Sequence, residues 1–172
     1  MAAGFAPIEI IQLLIRAGAD LNRPWYANNY MGYAFNRRNR WELDGSKMKP
    51  HTDQIDVLKL FLESGADPNL ANWHGVTYLH KLAENGDIEK AEVLLQYGAD
   101  IHAIDDEWGS TPLGWAARMD QKEMVAFLLN QGADLNLASE PWASPVARAE
   151  KAGHPEIVDL LRDNGAIDTP SP

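Results

Sequence analysis

Cysteine is absent from the 172 residues. Disulfide frameworks, thiolate metal sites and cysteine nucleophiles are excluded together, and the redox compartment stays open. No run approaches the ~20 apolar residues of a membrane span. No charged segment followed by an apolar stretch opens the chain, so no secretion signal is visible and a cytoplasmic location is expected. Basic side chains are in the minority, with 15 Lys and Arg against 25 Asp and Glu and a formal net charge of −10. A protein that tracks phosphates needs a basic patch to release counterions, so neither nucleic acid nor a membrane is an expected partner. Also missing are Gly-x-Ser-x-Gly, a phosphate loop and a dinucleotide fingerprint. Nothing in the chain supports a catalytic residue or a cofactor, and no enzymatic activity is expected.

What is present is ordinary in bulk and periodic in detail. Hydrophobic residues make up 45% and charged residues 23%, as in a folded domain. Gly-Ala-Asp occurs at Gly18-Ala19-Asp20, Gly65-Ala66-Asp67, Gly98-Ala99-Asp100 and Gly132-Ala133-Asp134, with a variant at Gly165-Ala166-Ile167. The glycines are 47, 33, 34 and 33 residues apart. A fixed period of this length marks a repeat architecture.

Each glycine follows a segment with apolar residues at i, i+3, i+4 and i+7: Ile8–Arg16, Ile55–Glu63, Ile88–Gln96, Met124–Asn130 and Ile157–Arg162. These read as amphipathic helices closed by a left-handed residue. Asp followed by Leu21-Asn22, Pro68-Asn69 or Leu135-Asn136 suits a loop held by side-chain bonds to backbone; Ile101-His102 departs from the pattern. A shorter helix precedes each long one. It starts at Thr111-Pro112-Leu113 and, in weaker copies, at Thr77-Tyr78-Leu79-His80 and Ser144-Pro145-Val146-Ala147. Thr or Ser caps such a start and Pro is tolerated in the first turn.

With Gly109-Ser110-Thr111-Pro112-Leu113, Thr77-Tyr78-Leu79-His80, Gly153-His154 and the Gly-Ala-Asp series in phase, the chain resembles the ankyrin repeat family. The resemblance implies an all-α fold. It would be an ankyrin-type solenoid of helix–turn–helix units with projecting β-hairpin loops, about four repeats plus an N-terminal half repeat. It also implies a concave face built from inner helices and hairpins. The expected units are a half repeat at 1–23, a repeat at 24–71 with an inserted loop at 36–52, repeats at 72–105 and 106–138, and a capping repeat at 139–168. Together they form one domain over 1–168, followed by a tail at 169–172. A half repeat at the start suits either a protein that begins there or a fragment. An incomplete first unit predicts a monomer with, at most, weak N-terminal self-contact.

The insertion carries five basic and two acidic side chains, so it is +3 and the remainder −13. It reads as a solvated loop or as a partner-contacting one, with Arg37, Arg38, Arg40 and Trp41 as candidate contacts. Loops beyond ~12–15 residues inside a domain are often functional.

Six tryptophans are many for this length. Trp25, Trp73, Trp108 and Trp142 all precede an inner helix and fall in the hairpins, with Tyr26 and His74 beside the first two. Such a row either braces the stack or forms a binding edge, since Trp and Tyr are favoured interface anchors. Counting from Asn29, Thr77, Thr111 and Ser144, the fifth residues are Tyr33, Lys81, Trp115 and Arg148. The resemblance places that position on the concave side. Metal binding is not expected. No two histidines are spaced i, i+4. His80 and His154 sit at family positions that bond to backbone, and Asp105-Asp106-Glu107 includes the family's hairpin Asp. The expected function is a non-enzymatic protein-binding module using the concave face and hairpin tips, with a protein partner of basic surface. A narrower variant is a bacterial immunity or inhibitor protein that masks a toxin or enzyme. The competing expectation is a small-molecule or carbohydrate receptor using the aromatic row.

Overall fold

The repeated glycine sets the architecture. Gly18, Gly65, Gly98, Gly132 and Gly165 all have φ between +81° and +98°, where a side chain would be strained. At each of them the chain leaves a helix. The computed structural model describes residues 8–22, 42–44, 47–49 and 53–167. The expected inner helix near Asn29 lies outside the described residues, as does the tail. The chain divides into two units, residues 1–70 and 71–172.

In the first unit α1 (Ile8–Arg16) packs against α2 (Asp53–Glu63). Leu58 and Phe61 of α2 are buried. Within the insertion, strands β1 (Glu42–Asp44) and β2 (Lys47–Lys49) pair antiparallel, Leu43 opposite Met48. Part of the stretch expected to be loop is therefore a short β-ribbon.

The second unit holds three complete helix pairs: α3 (Tyr78–Asn85) with α4 (Ile88–Gln96), α5 (Pro112–Arg118) with α6 (Lys122–Asn130), and α7 (Pro145–Ala152) with α8 (Pro155–Asp163). The inner helices stack in order, α3 on α5 and α5 on α7. Leu79, Leu82, Leu113, Ala116, Ala117, Val146 and Ala149 form their buried seam, and Leu94, Met124, Leu128, Ile157 and Leu161 fill the layer beneath the outer helices. Small alanines where inner helices meet let the backbones approach, the arrangement of ridges seated in grooves.

Three series of side-chain-to-backbone bonds tie one repeat to the next. In the Gly-Ala-Asp loops, Asp20, Asp67, Asp100 and Asp134 each accept from the N–H two residues on. The residue at that position then reaches the following repeat: Asn22 Oδ1 accepts from Asp67 N, His102 Nε2 from Asp134 N, and Asn136 Oδ1 from Ile167 N. His102, the departure from Asn in the sequence, therefore does the work of Asn. In the inner turns, Gln121 Nε2 donates to Glu84 O and His154 Nε2 to Arg118 O.

The third series runs at the inner-helix starts. His80 Nδ1 accepts from Thr77 N at 3.2 Å, which fixes the tautomer, and Nε2–H donates to Ser110 O at 3.1 Å. One repeat on, glycine replaces histidine at position 114, and the Ser110 hydroxyl donates to Ala143 O at 2.9 Å instead. The exchange is forced sterically: a Cβ on Gly114 would lie 2.1 Å from Ser110 Oγ.

Candidate binding face

Each hairpin is built around an acceptor. Asn72 Oδ1 accepts from His74 N and Val76 N. Asp105 holds the next hairpin with more bonds: Oδ1 accepts from Glu107 N and Trp108 N, and Oδ2 from Ser110 N. Its fourth donor is the indole N–H of Trp115, at 2.8 Å. Asp105 is 1% exposed. Its four bonds hold its own hairpin and the helix that follows. Among the described residues no group of acidic or histidine side chains is arranged to hold a metal ion.

The sequence-expected contacts divide by position. Trp25, Tyr26, Tyr33, Arg37, Arg38, Arg40 and Trp41 lie outside the described residues. Trp73 and Trp142 stand out from their hairpins, 71% and 51% exposed. Trp73 lies against the His74 ring with centroids 3.3 Å apart, and Trp142 sits on a 3-10 turn at Pro141–Ala143. Trp108 is half-buried. Lys81 is tied to Glu84 at 2.9 Å and its ammonium lies 4.7 Å from the Trp115 ring.

Two residues differ from the expectation of an open concave position. Trp115 is 6% exposed and Arg148 3% exposed. Trp115 is drawn under its own hairpin by Asp105 and packs edge-on against His80, 5.6 Å between centroids. Arg148 donates through one terminal nitrogen to Trp108 O. Its guanidinium lies 5.1 Å from the Trp108 ring and 5.0 Å from that of Trp142. Burial, and then the neighbouring Arg118, push the Arg148 pKa down, while Asp105 opposes them. Sequence reasoning passed over Arg118, whose guanidinium lies 4.3 Å from the Trp108 ring. Its signal was available: Arg118 is three residues beyond Trp115, one turn along the same helix face.

The hairpins of the second unit thus carry two projecting indoles, Trp73 and Trp142, and the half-buried Trp108, with Arg118 and Arg148 packed against Trp108 and Arg148 also against Trp142. No helix among the described residues is long and apolar enough to cross a membrane. The sequence profile described as "Ankyrin repeats (3 copies)" matches residues 50–139 and again 106–170. The chain belongs to the ankyrin repeat family. Ankyrin repeat protein nuc-2 of Neurospora crassa is 36% identical over 108 residues, 62% of this chain and 10% of that protein. B-cell lymphoma 3 protein homolog of Mus musculus is 34% identical over 100 residues, 58% of this chain and 22% of that protein. Cyclin-dependent kinase 4 inhibitor B of Mus musculus is 32% identical over 108 residues, 63% of this chain and 82% of that protein. Ankyrin repeats are protein-binding scaffolds, and this chain is one in construction.

Proposed function

We propose that the chain is a non-enzymatic protein-interaction module that grips its partner along the inner helices and hairpin tips of the second unit. The observation that carries this reading is the exposure of Trp73 and Trp142 on the first and third of the second unit's three hairpins. An indole left in water forgoes roughly 1.5–3 kcal/mol that burial would return. Trp is also the side chain most enriched at interface hot spots. The relative named as an inhibitor of cyclin-dependent kinase 4, matched over 82% of its own length, supports this reading. An acidic chain, net −10, steers partners with a basic rim.

The test places a photo-crosslinking amino acid at Trp142 or Trp73, and separately at the exposed Glu92 of outer helix α4, in the full chain within an extract of its native source. The reading predicts a discrete protein adduct from the hairpin positions and none from position 92. Adducts from position 92 alone would refute it.

A further inference from the structure

Arg118 and Arg148 present an imbalance that the fold does not resolve. They project from adjacent inner helices, α5 and α7, toward the same ring, Trp108. Among the described residues neither guanidinium has a carboxylate within ion-pair distance, although Lys81, Lys90, Lys122 and Arg162 all do. Arg148 is almost wholly buried, and its Nε–H has no hydrogen-bond acceptor. A buried donor left unmade is costly, more so on a charged group. Asp105, the acid whose charge favours the Arg148 cation, is already occupied by four donors. Two like charges are thus brought together in a chain with acid to spare, and are braced by indole faces rather than neutralised.

We propose that Arg118 and Arg148, framed by Trp108 and Trp142, form a receptor for one carboxylate, an Asp or Glu side chain at the centre of the partner protein's contact surface. The guanidinium fork matches a carboxylate in two parallel bonds. Rings stacked on the guanidiniums hold them in place, so little side-chain freedom is lost on binding. Arg118 is the half-exposed member and meets the carboxylate first. The more buried Arg148 follows through its unused Nε–H as the rings beside it, Trp108 and Trp142, give way. The partner is therefore basic at its rim, where it meets the acidic chain, and acidic at one central point. This assignment rests on the protein-interaction reading of the same face.

The test is selection from a random peptide library displayed on phage against the full chain, with the arginine Nε–H resonances followed as the selected peptides are titrated. The expected result is enrichment of peptides with one common Asp or Glu. Binding should shift the Arg118 and Arg148 resonances, and replacing that acid by its amide should weaken binding at least tenfold. R118Q, which keeps the helix and leaves the buried Arg148 in place, should abolish the acidic preference while its circular dichroism and melting temperature stay near those of the parent. R118K should restore little, since a point charge lacks the fork. Selected peptides without a shared acid, silent arginine resonances, or a stronger response to phosphoserine than to glutamate would overturn the carboxylate receptor and leave the interaction module standing. Peptides that bind only the outer helices would overturn both.

Discussion

At the residue scale, Asp105 and Asn72 pose the same problem with different chemistry. Both hold a hairpin by accepting backbone N–H groups, but only Asp105 adds an indole. Asp105→Ala strands three backbone donors and one indole N–H in a buried site, and should cost about 3 kcal/mol or more. Asp105→Asn keeps an acceptor for the backbone and turns a donor toward the indole. It should cost less than the alanine, and Trp115→Phe should recover part of the loss. Denaturant unfolding of these variants, with Trp115→Phe added to Asp105→Asn, measures this.

His80 gives a pH prediction. Burial holds its pKa below 6.5, although the Ser110 carbonyl and Asp105 favour the charged form. The neutral ring is also the one that Thr77 N–H and Ser110 O require. As pH falls, the unfolded chain takes up this proton before the folded chain does. The contribution is therefore complete above about pH 6.5 and is lost as pH falls below it toward the folded value. His80→Asn should lower stability at neutral pH yet flatten its decline as pH falls below about 6.5. An unchanged slope in urea unfolding across that range would remove His80 from the account.

At the scale of elements, α5 shows how far a repeat motif can be read and where it misleads. The Thr111 start of α5, whose hydroxyl accepts from Gly114 N, and the left-handed glycine after each outer helix were legible in one-dimensional spacing, because they are local; the starts of α2, α6 and α8 were not, each lying two residues before the first periodic apolar residue at Ile55, Met124 and Ile157. The exchange of His80 for Ser110 and Gly114 was not, because it depends on atoms 33 residues apart. Nor was the burial of Trp115: it stands fifth counted from Thr111, but a carboxylate ten residues back pulls the ring inward. Arg148 disappeared for a similar reason, under rings contributed by the hairpins. The insertion read as loop because three-residue strands such as Glu42–Asp44 are too short to carry a period.

The α5 start yields a test of its own. Gly114→Ala gains roughly 1 kcal/mol of helix propensity, but its methyl group collides with Ser110 Oγ. The hydroxyl must turn away from Ala143 O. We expect a net loss of about 1–2 kcal/mol. Ser110→Ala with Gly114→Ala should lose less than the sum of the two single changes, since the first removes the atom that the second strikes. Strict additivity in thermal or denaturant unfolding would show that the two sites do not meet.

For the whole molecule, the two units invite separate treatment. In the second, three helix pairs are joined by repeating bonds between neighbours, so stability should behave as a nearest-neighbour sum. The α5–α6 pair has a partner on both sides and should show the slowest amide exchange. The α7–α8 pair, with a described neighbour on one side only, should exchange faster by local opening. Equal protection in all three pairs would mean that the unit opens only as a block.

The central claim is that the hairpin indoles serve a partner rather than the stack. Trp73 and Trp142 are exposed enough to separate the two roles cleanly. With the crosslinked partner in hand, the deciding measurement is affinity and melting temperature on the same two variants, Trp73→Ala and Trp142→Ala. Binding through these rings predicts a loss of about 2–4 kcal/mol of affinity at one or both positions, roughly 30- to 1,000-fold, with the melting temperature nearly unchanged. A lowered melting temperature with affinity intact, measured well below the transition, would contradict it and assign the rings to stacking.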